Sequence, residues 1–172
     1  KELRSNERYT CFLNKSTGEW TFNWTWRDNL TQYKLNQGMN GFRVKYPLGL
    51  GGGPKGKHDP YIEDKKKMSW LRNWLADVQD HFEEKGWLDE AYYYFIDEFQ
   101  MFVPEGYARE EYFERVEILM KAMKEAAPLL KLAVTSPPSR ELEHLRPYID
   151  IYCPYSEDRD EERWNERLEA GC

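Results

Sequence analysis

The sequence predicts an α/β protein built as part of a (β/α)8 barrel of the TIM type, with about four to five βα units across residues 1–172. Three observations predict it. Strand-like apolar runs alternate with amphipathic helical stretches at least four times, the pattern of βαβ units over a parallel sheet. The G-x-G-x-x-G fingerprint of a dinucleotide-binding sheet is absent, which leaves the barrel as the other common arrangement. A complete barrel takes roughly 250 residues, and only four or five strands are countable here, so the chain reads as part of one.

Taken in order, residues 1–21 carry few signals. Tyr9-Thr10-Cys11-Phe12-Leu13 reads as a short strand and Lys15-Ser16-Thr17-Gly18 as a turn after it. From Asn23 a helix begins, with Asn23 or Thr25 available as N-cap, Trp26, Leu30 and Tyr33 on one face, and Gly38 as stop. Met39 to Tyr46 is a strand, and Pro47 to His58 a Gly-rich loop that leaves it. The loop lacks the G-x-x-x-x-G-K-S/T order and does not run straight into a helix, so a mobile active-site loop is the better reading than a nucleotide cradle. Met68, Leu71, Leu75, Val78 and Phe82 then recur at spacings of three and four, a long amphipathic helix stopped by Gly86. Trp70, Trp74 and Trp87 on or beside it are read as packing groups.

Tyr92-Tyr93-Tyr94-Phe95-Ile96 reads as a buried strand that ends in the carboxylates of Asp97 and Glu98. A buried strand avoids such a pair unless the chain emerges into a cleft there. Neighbours in a strand point to opposite faces, so the two serve one ligand only if the backbone turns at Glu98. The plainer alternative is that one of them caps the next helix or meets a basic residue. Residues 107–127 form that helix, with Tyr112, Val116, Met120 and Met123 on one face and Pro128 beyond its end. Leu130 to Ser136 is a strand stopped by Pro137-Pro138, 139–146 a short helix, and Tyr148 to Cys153 a further strand that leaves through Pro154-Tyr155-Ser156. The acidic stretch 157–170 is a last helix with a solvated charged face.

Composition narrows the function classes. Lys and Arg total 25 against 31 Asp and Glu, a net charge of −6 that argues against a nucleic-acid partner. Seven Trp, twelve Tyr and eight Phe suit sugar rings and cores equally, so their density alone does not choose. Cys11, Cys153 and Cys172 have no short spacing, and His58, His81 and His144 no ligand spacing; no metal and no cofactor are expected. No apolar run is long enough to span a membrane, and the charged start is unlike a signal peptide. Asn14, Asn23 and Asn29 head glycosylation sequons, which matter only in a eukaryotic secretory pathway.

Phe22-Asn23-Trp24 before a helix, Gly38-Met39-Asn40-Gly41-Phe42, Gly86-Trp87 ahead of Ala91 to Glu98, and Tyr148 to Pro154 together resemble the catalytic domain of glycoside hydrolase family 123 and its many uncharacterised relatives. The resemblance spans residues 22–172. It implies a (β/α)8 barrel and release of N-acetylgalactosamine-type 2-acetamido sugars by substrate-assisted, retaining catalysis; a secreted or periplasmic location is expected. By similarity Asp97 orients the acetamido group, and Glu98 serves as acid and then base, with a raised pKa if Phe95 or Phe99 packs beside it. Phe99 stands where relatives often have Pro, and the later strands are lacking. The alternative is a non-catalytic carbohydrate-binding or structural module on the same scaffold.

Because barrel sites sit where strands end, Lys45, Tyr46, His58, Ser136 and Tyr155 are nominated to bind substrate. Tyr155 leads, since an aromatic hydroxyl both stacks on sugar and donates to the acetamido oxygen. Four or five parallel strands do not close, so the chain is expected to pair edge to edge with a second copy or to continue in a longer protein.

Overall fold

A computed structural model of the chain describes residues 10–14, 16–17, 20–44, 59–95, 98–136, 140–153, 162 and 165–166. The elements follow in the order β1 (Thr10–Leu13), β2 (Trp20–Asn23), α1 (Thr25–Asn36), β3 (Phe42–Val44), α2 (Lys65–Lys85), a 3-10 turn (Leu88–Glu90), β4 (Ala91–Tyr94), α3 (Arg109–Ala126), β5 (Lys131–Val134), a 3-10 segment (Arg140–Tyr148) and β6 (Ile151–Tyr152). β1 and β2 form an antiparallel pair. β3 to β6 form one parallel sheet in the order β3-β4-β5-β6. Among the described residues that order contains no reversal and so no switch point of the doubly wound kind.

The register sets which side chains face the helices. Val44 lies beside Tyr93 and Tyr93 beside Leu132, while Phe42 lies beside Ala91. By the two-residue period of strands, Phe95 and Val134 share that face. α2 and α3 cover it: Trp74 meets Tyr93 edge-on at 5.7 Å and Phe82 meets Phe42 at 5.5 Å. Where Leu75, Met123, Tyr93 and Leu132 converge, the packing leaves a cavity of only about 10 Å³. The opposite face carries Arg43, Tyr92, Tyr94, Lys131, Ala133 and Ile151, with the Arg43 guanidinium 4.5 Å from the centre of the Tyr94 ring.

α2 forms where its sequence demands it. Asp64 caps its start by accepting the Lys67 N–H at 3.0 Å, and Gly86 ends it with a φ of +70°, a left-handed conformation that suits glycine. Met68, Leu71, Leu75, Val78 and Phe82 are all buried, and each such side chain contributes about 1.5–3 kcal/mol on leaving water. Trp70 and Trp74 stack at 6.0 Å, and Trp20 and Phe22 of β2 meet Trp70 edge-on at 6.1 and 5.8 Å. A continuous column of rings thus runs from the hairpin through α2 to Tyr93. Much of the aromatic density is core.

Several local expectations are corrected. β2 was not foreseen: Trp20 and Phe22 alternate with exposed Thr21 and Asn23 as a strand with one covered face does, yet four residues are too few to stand out by pattern. Tyr33 is 62 % exposed rather than inward, because α1 rests on its neighbours through Trp24 and Thr31, both buried, and through Leu35. The cap of α1 is Trp24 rather than Asn23 or Thr25, without a side-chain capping bond; Asn23 ends β2, and its Oδ1 accepts the Thr25 N–H at 3.0 Å. β4 alternates, with Ala91, Tyr93 and Phe95 buried and Tyr92 and Tyr94 half-buried, so it is not buried on both faces. Where a short helix over 139–146 was expected, Arg140–Tyr148 is a 3-10 segment that includes Pro147, and β6 keeps only two residues. The predicted strand 39–46 is seen as β3 within the described residues. Of 157–170, Glu162, Asn165 and Glu166 are helical and exposed, and the rest lies outside them.

Candidate functional site

The parallel strands all end at one rim, and β4 leads to Glu98 there. Its ladder continues one residue past Tyr94, where the Phe95 N–H donates to the Ala133 carbonyl at 2.8 Å. The chain then turns at Glu98. Its φ of +48° makes it, among the described residues, the one non-glycine side chain in the left-handed region. A β-carbon there costs about 1–2 kcal/mol. Compensation comes from the next residue: Phe99 is fully buried, edge-on to Phe95 at 5.9 Å and to Phe113 of α3 at 6.2 Å. Met101 and Phe102 close the turn by donating their N–H groups to the Glu98 carbonyl at 2.8 and 3.3 Å.

This single turn sorts its side chains. Phe99 goes inward, Glu98 and Gln100 are half-buried, and Met101 and Phe102 stand 59 % and 48 % exposed. Gln100 reaches across to the end of β5, where the hydroxyl of Ser136 donates to its Oε1. The exits of two adjacent strands are thereby tied together beside Glu98.

A second cluster braces the same rim. Asp59, fully buried, accepts a hydrogen bond from the Tyr107 hydroxyl at 3.0 Å and lies 3.9 Å from Arg115 Nη2. Arg115 also donates through both terminal nitrogens to Glu63, gives a 3.0 Å hydrogen bond to the Pro60 carbonyl, and covers the Tyr107 ring at 4.8 Å. Lost hydration and then the bond to Asp59 push the Tyr107 phenol above its ordinary pKa. The hydrogen bonds to Glu63 push Arg115 up, so it is charged throughout the physiological range. Burial, reinforced by the Asp59 charge, likewise pushes the Tyr112 phenol up. The segment that enters α2 is in this way fastened to the segment that enters α3.

Of the nominated residues, Glu98 and Ser136 come together at the rim through the Glu98–Phe102 turn. Ser136 is only 1 % exposed, and its hydroxyl faces Gln100. Asp97, Lys45, Tyr46, His58 and Tyr155 lie outside the described residues, as does the Gly-rich loop. Phe95 and Phe99 pack against each other and the α3 side, as a floor beneath the turn. Sequence reasoning missed Gln100, Asp59, Tyr107 and Arg115. Asp59-Pro60 at the end of a glycine-rich stretch and Gly106-Tyr107 ahead of a helix were the available signals, though neither distinguishes a brace from an ordinary turn.

Compared with known proteins, the chain matches no family model and no curated protein. No helix among the described residues is long and apolar enough to cross a membrane. The rim itself offers a carboxylate, an amide, and an exposed thioether and aromatic ring within one turn. Such a set is suited to a neutral ligand that has both hydroxyl edges and apolar faces.

Proposed function

We propose that the protein is a glycoside hydrolase acting on 2-acetamido-2-deoxy sugars of the N-acetylgalactosamine type, by substrate-assisted retaining catalysis on a (β/α)8 scaffold. One observation carries the reading: Glu98 stands where β4 leaves a parallel sheet, in a left-handed turn that the neighbouring strand helps to hold. Strand ends of this kind are where barrel enzymes keep their catalytic groups. The sequential strand order, with α2 and α3 on one face, is also the order a barrel segment has. The family resemblance of residues 22–172 supplies the substrate class.

In this mechanism the acetamido carbonyl oxygen of the substrate attacks C1 while the bond from C1 to the leaving oxygen breaks. Glu98 transfers its proton to that oxygen. Asp97, next to it in sequence, holds the acetamido N–H and stabilises the cyclic cation that forms. Glu98 then takes a proton from water as the water oxygen attacks C1 and reopens the ring, which restores the configuration. No cofactor is needed, and a secreted or periplasmic location accords with such a substrate.

The test is hydrolysis of aryl 2-acetamido glycosides against their 2-hydroxy counterparts by the natural full-length protein. Turnover confined to the acetamido series is expected. Asp97→Asn should fold normally and lose on the order of 100-fold or more in turnover. Equal turnover of both series, or near-normal activity in a folded Asp97→Asn protein, sinks the reading. Sugar binding with no turnover favours the non-catalytic module instead.

A further inference from the structure

The Gln100 side chain has a chemistry that the two carboxylates do not supply. An amide offers one acceptor oxygen and two N–H donors, and nothing in the group itself decides which end faces a ligand. Here Ser136 engages the oxygen. Its hydroxyl, 1 % exposed and fixed at the end of β5, donates to Gln100 Oε1, so the oxygen is turned into the protein. The amide nitrogen is the other end of this half-buried side chain, two residues from Glu98 in the turn that the Glu98 carbonyl closes.

We infer that Gln100 is a substrate-orienting residue, its two N–H donors directed by Ser136 at ring hydroxyl or acetamido oxygens of the bound sugar, and that Ser136 is a positioning residue that acts through it. This rests on the glycosidase reading of the same rim. An amide suits the place better than Lys or Arg would, because it donates without adding a positive charge two residues from the proposed acid. It also selects for oxygen-bearing sugar positions, since a ligand without an acceptor there leaves the donors unpaired.

Three variants separate orientation of substrate from a tie between loops. Gln100→Glu keeps the acceptor for Ser136 but exchanges the donors for a negative charge, Gln100→Leu removes donors and acceptor without adding charge, and Ser136→Ala frees the amide to rotate. With an aryl 2-acetamido glycoside, each variant measured at its own pH optimum, Gln100→Glu is expected to melt close to the wild type. Its KM should rise about 10- to 100-fold, with a smaller fall in kcat, the loss of one or two hydrogen bonds to substrate. Gln100→Leu should show a similar kinetic loss together with a lower melting temperature. Ser136→Ala should lose less, and the double variant Ser136→Ala/Gln100→Leu should be no worse kinetically than Gln100→Leu, because the serine acts through the glutamine. If the wild type turns over the substrate and Gln100→Glu has unchanged KM and kcat, the pair is only a structural tie and the inference falls alone. A wild type that neither binds nor cleaves acetamido glycosides removes the glycosidase reading and this inference together.

Discussion

Glu98 holds a backbone conformation that its own β-carbon opposes, and the opposition can be measured. Replacing it by glycine removes a steric cost of about 1–2 kcal/mol, partly offset by the extra freedom glycine has in the unfolded chain. Glu98→Gly is therefore expected to be at least as stable as the wild type in urea unfolding, whereas Glu98→Val, branched at the β-carbon, should lose more than about 1 kcal/mol. A destabilised Glu98→Gly protein would mean that the carboxylate itself holds the turn, as a cap or ion-pair partner. This is also where the sequence was most legible. An aromatic run that ends in two carboxylates predicts a backbone turn at Glu98, and Glu98 is in a turn with a φ of +48°. Gln100 was not legible, because its role depends on a sign of φ two residues earlier and on a serine 36 positions later that no local pattern connects to it.

Among the elements, α2 was legible almost whole, since its caps and its three-and-four spacing agree with one another. What spacing could not reveal is that the helix is covered on two sides, by the sheet and by the β1–β2 hairpin. Trp74 sits between them with no exposure, and Trp74→Ala should cost about 3–5 kcal/mol in denaturant unfolding. A loss below 1 kcal/mol would show that the column of rings is loosely packed. At its other end α2 meets α1: His81 stacks on Trp24 at 5.0 Å and lies 2.7 Å from Asp28, while Trp24 Nε1 donates to Asp77 at 2.6 Å. Lost hydration raises the Asp77 pKa above its ordinary 3.8, against the opposing effects of the Trp24 hydrogen bond and His81. Between 3.8 and the raised value the folded protein binds more protons than the unfolded chain, so stability falls as pH rises through that window and the deficit persists above it. Asp77→Asn keeps an acceptor for Trp24 and should be the more stable protein at pH 7. Melting curves across the acid range should show the advantage shrinking toward pH 3.8. An Asp77→Asn protein less stable than the wild type at pH 7 would show that the charge is a net benefit.

At the scale of the whole molecule, the parallel sheet was legible from alternation alone, because a strand-helix-strand order leaves few other arrangements. The character of its two faces was not. Half a barrel leaves inward-pointing Tyr, Phe, Ile and Val without an opposite wall, which would make one large apolar patch. Phe42, Val44, Phe95 and Val134 instead lie under the helices, and the other face alternates Arg43 and Lys131 with Tyr92, Tyr94, Ala133 and Ile151. Cations on that face weaken the purely hydrophobic drive toward a partner. The edges remain: among the described residues β3 pairs only with β4 and β6 only with β5, so the backbone donors and acceptors on their outer sides have no strand beside them. Open parallel edges are templates for pairing. The 172-residue polypeptide on its own is therefore expected to associate through β3 or β6, and the charges on the face favour few, specific contacts over a disordered aggregate. Light scattering should give a mass above 20.7 kDa that changes little with salt, as backbone pairing does, rather than one that collapses as the ionic strength rises. A well-dispersed monomer of 20.7 kDa with cooperative unfolding would mean that both edges are already satisfied within one chain, and the barrel would then be the wrong parent for this sheet.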